Sequence, residues 1–258
     1  MLIDMHSHLD HAYFNEDIDK VIENARSAGV KVAIASGINP ETNRKVLALA
    51  ERFDIVKASL GIYPINTLRK EIEAGDFPLE TNDFDVDEEI RFIEKNRDNI
   101  VYVGECGLDY SMVRDEAEQK ALFSKMISLA EKIKKPILIH SRKAELGCIE
   151  MLESSSVKKI IMHCFSGKKS LVKRVRDNGW FLTIPTCVTR ARQFQDIIKE
   201  VPLSQLFCET DAPYLSPFKD KRNEPAFIIE SYKKIAEIKG MELNEVINNV
   251  WMNWQRLA

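Results

Sequence analysis

Short runs of apolar and β-branched residues alternate along this chain with longer segments in which apolar residues recur every three or four positions. The short runs predict buried strands, since parallel strands covered on both faces are apolar throughout. The longer segments predict amphipathic helices that cover the strands. The predicted strands are 2–6, 31–36, 55–61, 100–105, 136–140, 159–163, 180–184 and 206–211. The predicted helices are 16–28, 40–53, 86–97, 116–134, 144–152, 170–178, 192–200, 227–238 and 242–257.

The regular alternation of strands and helices indicates parallel strands joined by right-handed crossovers. Eight such units in 258 residues predict an α/β protein with a closed (β/α)8 TIM barrel rather than an open sheet. No linker or low-complexity tract interrupts the pattern, so we expect residues 1–258 to form a single domain. The one long connection, 61–85, is predicted to be a loop that either covers a functional site or is an insertion.

The composition narrows the class of protein. Hydrophobic residues make up 45% and charged residues 30% of the chain, as in soluble globular proteins. No apolar run approaches the roughly 20 residues that span a bilayer, and no signal peptide precedes the first strand, so we expect a cytoplasmic protein with no membrane partner. The five scattered cysteines argue against a disulfide framework. The net charge of −3 excludes an overall basic surface, so a polyanion would have to bind a local patch.

Four of the five histidines lie where a predicted strand ends. In a TIM barrel the C-terminal strand ends meet on the face that carries the active site. His6 and His8 stand two residues apart at the first strand end, so their side chains point to the same side. The other polar residues at strand ends are Glu105, His140, His163 and Asp211.

A single histidine at a strand end is more often a hydrogen-bonded core residue than a metal ligand. Six imidazoles and carboxylates on one face are a different case, because such groups are costly to bury without a partner and a metal ion is a common partner. We therefore predict a divalent metal centre formed by His6, His8, Glu105, His140, His163 and Asp211. Six ligands exceed the four of tetrahedral zinc, so we expect two ions with a carboxylate between them.

Further roles are open for Asp211, Glu209 and His11. Asp211 is placed both to bind an ion and to accept a proton from an attacking water. Glu209 shares the side of Asp211 if the strand stays regular, and either orients a ligand or water or is simply a paired carboxylate. His11 lies past the strand end and is predicted to be a loop residue that is structural or near the substrate rather than a ligand.

Five segments in chain order resemble the TatD family of metal-dependent hydrolases. They are His6-Ser7-His8, Gly104-Glu105-Cys106-Gly107-Leu108-Asp109, His140-Ser141-Arg142, His163-Cys164-Phe165-Ser166-Gly167 and Glu209-Thr210-Asp211-Ala212-Pro213-Tyr214-Leu215, with Arg222-Asn223-Glu224-Pro225 as a further match. The resemblance implies a TIM barrel of the amidohydrolase type and a metal-dependent deoxyribonuclease of the 3′-5′ exonuclease type. It also implies that His6, His8 and Asp211 bind one ion, that His140 and His163 bind the second, and that Glu105 bridges them.

One residue departs from the family pattern at a position that the resemblance assigns to contact with the substrate phosphate. The family usually carries a histidine where this chain has Tyr63, often with a second histidine where Ile65 stands. Tyr63 can donate a hydrogen bond to substrate but carries no positive charge near pH 7. The departure therefore implies weaker phosphate binding or a different preferred substrate. The ligands leave the metal open among Mg²⁺, Mn²⁺ and Zn²⁺, since imidazoles favour zinc and oxygen ligands favour the other two.

Basic residues follow several predicted strand ends, independently of the family resemblance. Some lie near helix N-termini, where the macrodipole disfavours cations, so an anionic substrate explains them better than helix stability does. Arg142 is our candidate phosphate contact, because its planar fork can hold two oxygens. The other basic residues are Arg114, Lys143, Lys168, Lys169, Arg190, Arg192, Lys219, Lys221 and Arg222. Aromatic candidates for stacking on DNA bases are Tyr13, Phe14, Tyr63, Tyr110, Phe165 and Tyr214, although packing is the commoner role of each.

Three functions stay open at this point. The first is a deoxyribonuclease that cleaves phosphodiester bonds at single-stranded or 3′ ends of DNA by a metal-activated water, with Asp211 and Glu105 catalytic. The second, favoured by Tyr63, is a metal-dependent hydrolase of an ester, a lactone or an aminoacyl-tRNA. The third is a binding barrel without catalysis, which the complete ligand set argues against. No obligate protein partner is evident.

Overall fold

The computed structural model describes residues 1–75, 78–80 and 83–257. Its eight strands are parallel and neighbour one another in chain order. They are β1 (Leu2–Ser7), β2 (Val30–Ser36), β3 (Val56–Leu60), β4 (Ile100–Gly107), β5 (Ile137–His140), β6 (Ile160–Met162), β7 (Phe181–Pro185) and β8 (Leu206–Glu209). A parallel bridge from Ser7 to Ala212 brings the ends of β1 and β8 together. The sheet therefore closes into the predicted (β/α)8 barrel, with each strand within two residues of its predicted bounds.

Helices follow the strands and cover the outside of the barrel. They are α1 (Ile18–Ser27), α2 (Pro40–Arg52), α3 (Ile65–Glu73), α4 (Val86–Lys95), α5 (Glu116–Ile133), α6 (Glu145–Glu153), α7 (Lys169–Asp177), α8 (Arg192–Glu200), α9 (Ile229–Lys239) and α10 (Leu243–Leu257). Local sequence fixes several ends: Asn39 and Thr42 form a capping box before α2, and Asp85 caps α4 by accepting two backbone hydrogen bonds. None of these helices has the length and apolarity needed to cross a membrane.

The 61–85 connection differs from its prediction as a loop, because it contains α3. Leu68 of this helix packs with Ile38 and Tyr63 in a small apolar cluster beside the main core. The sequence does carry the signal of this helix, since Ile65, Leu68 and Ile72 recur three and four positions apart, and the prediction of a loop overlooked it. Residues 76, 77, 81 and 82 of the same connection lie outside the described residues.

Two of the strands that lead to candidate ligands end earlier than predicted. β6 stops at Met162 and β8 at Glu209, so His163 and Asp211 stand just beyond regular strand. Asp211 has a φ of 56°, in the left-handed region. The two-residue alternation therefore does not extend from Glu209 to Asp211, and the expectation that they share a side by strand geometry does not apply.

Candidate metal centre

The six predicted ligands converge at the C-terminal end of the barrel. β1 supplies His6 and leads into His8, β4 supplies Glu105, and β5 ends on His140. Four of the six are buried, while His140 and Asp211 are partly exposed and face a pocket. The structure thus brings side chains from five strand ends to one place.

Two glycines let the strands approach closely enough to form this cluster. A Cβ atom at Gly61 would lie 2.3 Å from the backbone oxygen of Glu105, and one at Gly107 would lie 1.9 Å from that of His140. Both distances are far below van der Waals contact. The positions of Glu105 and His140 therefore depend on glycine in the neighbouring strand or connection.

The first half of the cluster consists of His6, His8 and two carboxylates. The Nε2 atoms of His6 and His8 are 3.2 Å apart. Each of these nitrogens lies 3.4–3.7 Å from Glu105 Oε2 and from Asp211 Oδ1. Two imidazole nitrogens and two carboxylate oxygens thus surround one point, which is the donor set that a divalent cation requires.

Glu105 connects this half to a second group of imidazoles. Its Oε2 atom faces His6 and His8, while its Oε1 atom is 2.8 Å from His140 Nδ1 and 3.8 Å from His163 Nε2. Donor atoms of His6, His8 and Glu105 lie within 4.8 Å of one another, as do those of Glu105, His140 and His163. A carboxylate with one oxygen toward each group has the arrangement expected of a bridging ligand.

Carboxylates behind the second group orient its imidazole rings. Asp109 Oδ2 is 2.7 Å from His140 Nε2, and Glu209 Oε2 is 2.7 Å from His163 Nδ1. A carboxylate accepts the N–H proton, so each ring turns its other nitrogen toward Glu105. The Oε1 atom of Glu209 also accepts the Cys164 backbone N–H, which fixes the carboxylate in turn.

The cluster contains groups that are already in the form that binds a cation and groups that must first lose a proton. Burial, together with the neighbouring His6, lowers the pKa of His8 to about 4, so its ring is neutral at pH 7. Burial acts to raise the pKa of Glu105 and of Asp211, but the surrounding histidines hold both pKa values below their usual range. Burial acts to lower the pKa of His6 and of His140, but the neighbouring carboxylates raise that of His6 well above its ordinary value and that of His140 to about 9. Since neutral imidazole and ionised carboxylate are the forms that bind metals, cation binding would release protons from these two rings.

The sequence and the fold of this chain are similar to those of known proteins. A family model described as "TatD related DNase" matches residues 3–258. This chain belongs to that family. Human "Deoxyribonuclease TATDN3" is 32% identical over 99% of the chain and 94% of the human protein. The "Uncharacterized metal-dependent hydrolase YabD" of Bacillus subtilis is 28% identical over 100% of the chain and 98% of that protein. The crystal structure of the Escherichia coli TatD homologue YJJV shares the fold, with a TM-score of 0.85 at 24% identity over 99% and 97% of the two chains.

The residue that departs from the TatD family pattern is part of a buried network. Tyr63 Oη donates to Asp109 Oδ2 at 2.9 Å and lies 3.1 Å from His140 Nε2. Arg142 Nε donates to the same oxygen at 2.7 Å, and its Nη2 atom pairs with Glu71 of α3. The pattern of strand ends identifies neither Asp109 nor Glu71. Asp109 lies inside a segment that resembles the family, which is the one signal that points to it.

A pocket of about 320 Å³ opens above the cluster. Its wall includes Tyr63, Glu71, Arg142 and Tyr214 in addition to ligand side chains. Its volume is in the range of small-ligand sites. His11 lies outside the ligand cluster: its Nδ1 accepts the Tyr13 backbone N–H, and its Nε2 is 3.1 Å from Tyr214 Oη.

The predicted basic residues divide into two groups. Some are engaged within the protein: Arg114 pairs with Glu116, Lys169 with Glu200 and Arg222 with Asp17, while Arg190 donates to the Ser216 carbonyl. Others form no ion pair within the described part of the chain: Lys143, Lys168, Arg192, Lys219 and Lys221. The predicted aromatic set is also divided, since Phe14, Tyr63 and Phe165 are buried whereas Tyr13 is exposed.

Proposed function

We propose that this chain is a deoxyribonuclease that hydrolyses phosphodiester bonds of DNA, with two divalent ions held by His6, His8, Glu105, His140, His163 and Asp211. The observation that carries the proposal is the position of Glu105, with one oxygen toward each group of imidazoles. Membership of the TatD-related family and the name of the human relative support DNA as substrate. The ligand set comes from one chain, so activity should need no protein partner.

The chemistry divides between the ions and the side chains. Divalent ions in such a site lower the pKa of a water molecule and offset charge on the phosphate oxygens; Mg²⁺, Mn²⁺ and Zn²⁺ all suit this mixed set of ligands. Asp211 is the group we assign to accept the proton of the attacking water, because its side chain is 16% exposed at the pocket floor. Glu105 holds the two groups of ligands together, and Glu209 keeps the ring of His163 oriented.

The substrate contacts are assigned to the pocket wall. Arg142 is 46% exposed, and the Nη1 atom of its guanidinium makes no hydrogen bond within the described residues. That atom suits a phosphate oxygen, while Tyr63 positions the neighbouring Asp109. A pocket of this size admits a single-stranded or 3′ end more readily than an intact duplex. The free cysteines fit a reducing compartment, so we place the protein in the cytoplasm.

A second candidate function is hydrolysis of an ester, a lactone or an aminoacyl-tRNA linkage. Tyr63 favours it, because a phenol replaces the cation that would otherwise face a phosphate. The relatives favour the deoxyribonuclease instead.

The deciding experiment removes and restores the metal. Purified protein is treated with chelator and assayed on 3′-labelled single-stranded DNA after addition of Mg²⁺, Mn²⁺ or Zn²⁺. We expect chelation to stop nucleotide release and at least one ion to restore it. The His6→Ala/His8→Ala variant should lose about 1,000-fold or more in rate, because it removes ligands shared by water and phosphate. Lys173→Ala, in an exposed ion pair on α7, is the matched control.

Two results would contradict the proposal. One is failure to release nucleotides with every ion, and the other is equal cleavage by the His6→Ala/His8→Ala variant. A parallel panel of small esters, lactones and aminoacyl-tRNAs tests the second candidate, which requires turnover of at least one of these substrates without cleavage of DNA.

A further inference from the structure

Exposed hydrophobic side chains concentrate on the face that carries the metal pocket. Tyr13, Met112, Leu146 and Phe218 lie in segments that follow strands, while two other exposed large hydrophobic residues of the described chain, Met1 and Met252, lie elsewhere. Tyr13 is 62% and Phe218 40% exposed. Of these four side chains, only Tyr13 and Phe218 carry an aromatic face on which a nucleobase can stack.

The segments that carry Tyr13 and Phe218 are joined where the barrel closes. Tyr13 follows β1 and Phe218 follows β8, and these strands are neighbours where the barrel closes. Arg222 joins the two segments, since its guanidinium donates to the Tyr13 carbonyl and pairs with Asp17 at 2.7 Å. We call the surface formed by Tyr13, Phe218, Lys219 and Lys221 the rim platform.

Both rings of the rim platform are supported from within the protein. The Tyr13 ring lies 4.4 Å from the ring of His11, centroid to centroid. The Phe218 ring meets Phe227 edge to face at 5.0 Å. A ring packed on one side and exposed on another offers a fixed surface to a nucleobase, and little conformational entropy is lost when a base stacks on it.

The charge of the rim platform complements a nucleic-acid backbone. Lys219 and Lys221 are exposed and form no ion pair with any described residue, and Lys221 Nζ lies 5.4 Å from the centre of the Phe218 ring. By contrast, the charge of Arg222 is already neutralised by Asp17. The two lysines outnumber Asp220, the exposed carboxylate that stands between them in sequence, so the rim platform keeps a net positive charge. Aromatic faces beside such a charge suit single strands, whose unpaired bases can stack while their phosphates bind cations.

A line of rings connects the rim platform to the metal centre. The His11 ring lies 5.6 Å from that of Tyr214, and Tyr214 lies 6.3 Å from His8 and lines the pocket. We propose that a single-stranded nucleic acid whose end occupies the pocket runs outward over the rim platform, with bases stacked on Tyr13 and Phe218. This inference rests on the proposed nuclease function and adds to it the path of the strand.

The test compares two double variants on the same face. Tyr13→Ala/Phe218→Ala removes the rings, whereas Met112→Ala/Leu146→Ala removes similarly exposed side chains that follow β4 and β5. KM is measured for a short oligothymidylate, and kcat/KM for bis(4-nitrophenyl) phosphate, a diester that is too small to reach the platform. Binding of the labelled oligothymidylate is measured separately by fluorescence anisotropy in chelator.

We expect the aromatic double variant to raise both KM and Kd for the oligothymidylate about tenfold or more. The aromatic double variant should hydrolyse the small diester at the wild-type rate. The Met112→Ala/Leu146→Ala variant should keep both the wild-type rate on the small diester and the wild-type KM for the oligothymidylate. Tyr13→Phe should also keep the wild-type Kd, because stacking needs the ring and not the hydroxyl.

Unchanged oligothymidylate binding in the aromatic double variant, or an equal loss in the Met112→Ala/Leu146→Ala variant, would overturn the inference. Failure of the proposed function is a separate result: wild-type protein that cleaves neither substrate is not a nuclease. In that case the anisotropy measurement alone decides whether the rim platform binds single strands.

Discussion

At the scale of single residues, Asp109 organises the second half of the candidate centre. Its Oδ2 atom accepts hydrogen bonds from Tyr63, His140 and Arg142, and its Oδ1 atom accepts the Ser111 backbone N–H. Burial acts to raise the pKa of Asp109, but the hydrogen bond and charge of His140, together with the hydrogen bonds from Ser111, hold it well below its usual value. The carboxylate therefore stays charged and keeps the Nε2 proton of His140 turned away from Glu105.

Asp109→Asn should weaken binding of the second proposed ion, next to His140 and His163, more than binding of the first, next to His6 and His8. The neutral amide accepts hydrogen bonds less strongly than the carboxylate and so fixes the His140 ring less firmly. Loss of such an orienting partner costs about 10–100-fold in metal affinity. Metal titration of the apoprotein should then show one site near wild-type affinity and one weakened. Lys173→Ala, in the exposed ion pair on α7, is the control, because Lys173 does not belong to this network. Two unchanged affinities in Asp109→Asn would argue against an orienting role.

The convergence of the six candidate ligands could be predicted because each lies at or beside the end of an apolar run. Their convergence then follows from barrel geometry alone. Asp109 and Glu71 could not be assigned roles in this way, since their contacts with Arg142 join residues 33 and 71 positions apart. Phe218 was missed for a similar reason, because its exposure depends on how the connection after β8 folds.

At the scale of elements, α3 forms one wall of the pocket. It presents Leu68 to the apolar cluster with Ile38 and Tyr63, and Glu71 to Arg142 in the connection after β5. The side chain of Glu71 is almost fully buried, whereas Arg142 is half exposed. The helical spacing of Ile65, Leu68 and Ile72 indicates that the connection folds, but where the helix docks depends on these distant contacts and could not be predicted from the pattern.

The ion pair between Glu71 and Arg142 should stabilise the docking of α3. A double-mutant cycle of Glu71→Ala and Arg142→Ala, read as free energies of unfolding in urea, should give a coupling of about 1–2 kcal/mol. This is less than for a fully buried pair, because the exposed guanidinium is screened by solvent. The exposed pair of Lys70 and Glu73 on the same helix is the matched control, with an expected coupling of about 0–0.5 kcal/mol. Equal couplings for the two pairs would mean that Arg142 does not fix α3.

At the scale of the whole molecule, the candidate centre joins strands that are distant in sequence. Its ligands come from the ends of β1, β4, β5, β6 and β8, so occupation of the site would link most of the barrel circumference. Without a cation, the cluster holds ionised carboxylates and crowded imidazoles, including the 3.2 Å approach of His6 and His8. Ions that bind only the folded barrel should therefore stabilise the whole fold.

Metal-dependent thermal stability is the prediction that follows for the intact chain. At a free metal concentration about 100 times Kd, one ion contributes about 2.7 kcal/mol. For a chain of this size that contribution raises Tm by about 5–10 °C relative to the chelated protein. Calorimetry with and without metal measures the shift, and it should rise with metal concentration. His6→Ala/His8→Ala should lose most of the shift, whereas His11→Ala should keep it, because His11 lies outside the ligand cluster and contacts Tyr13 and Tyr214 instead. A shift that survives the first variant would place the stabilising ions away from the six residues at the strand ends.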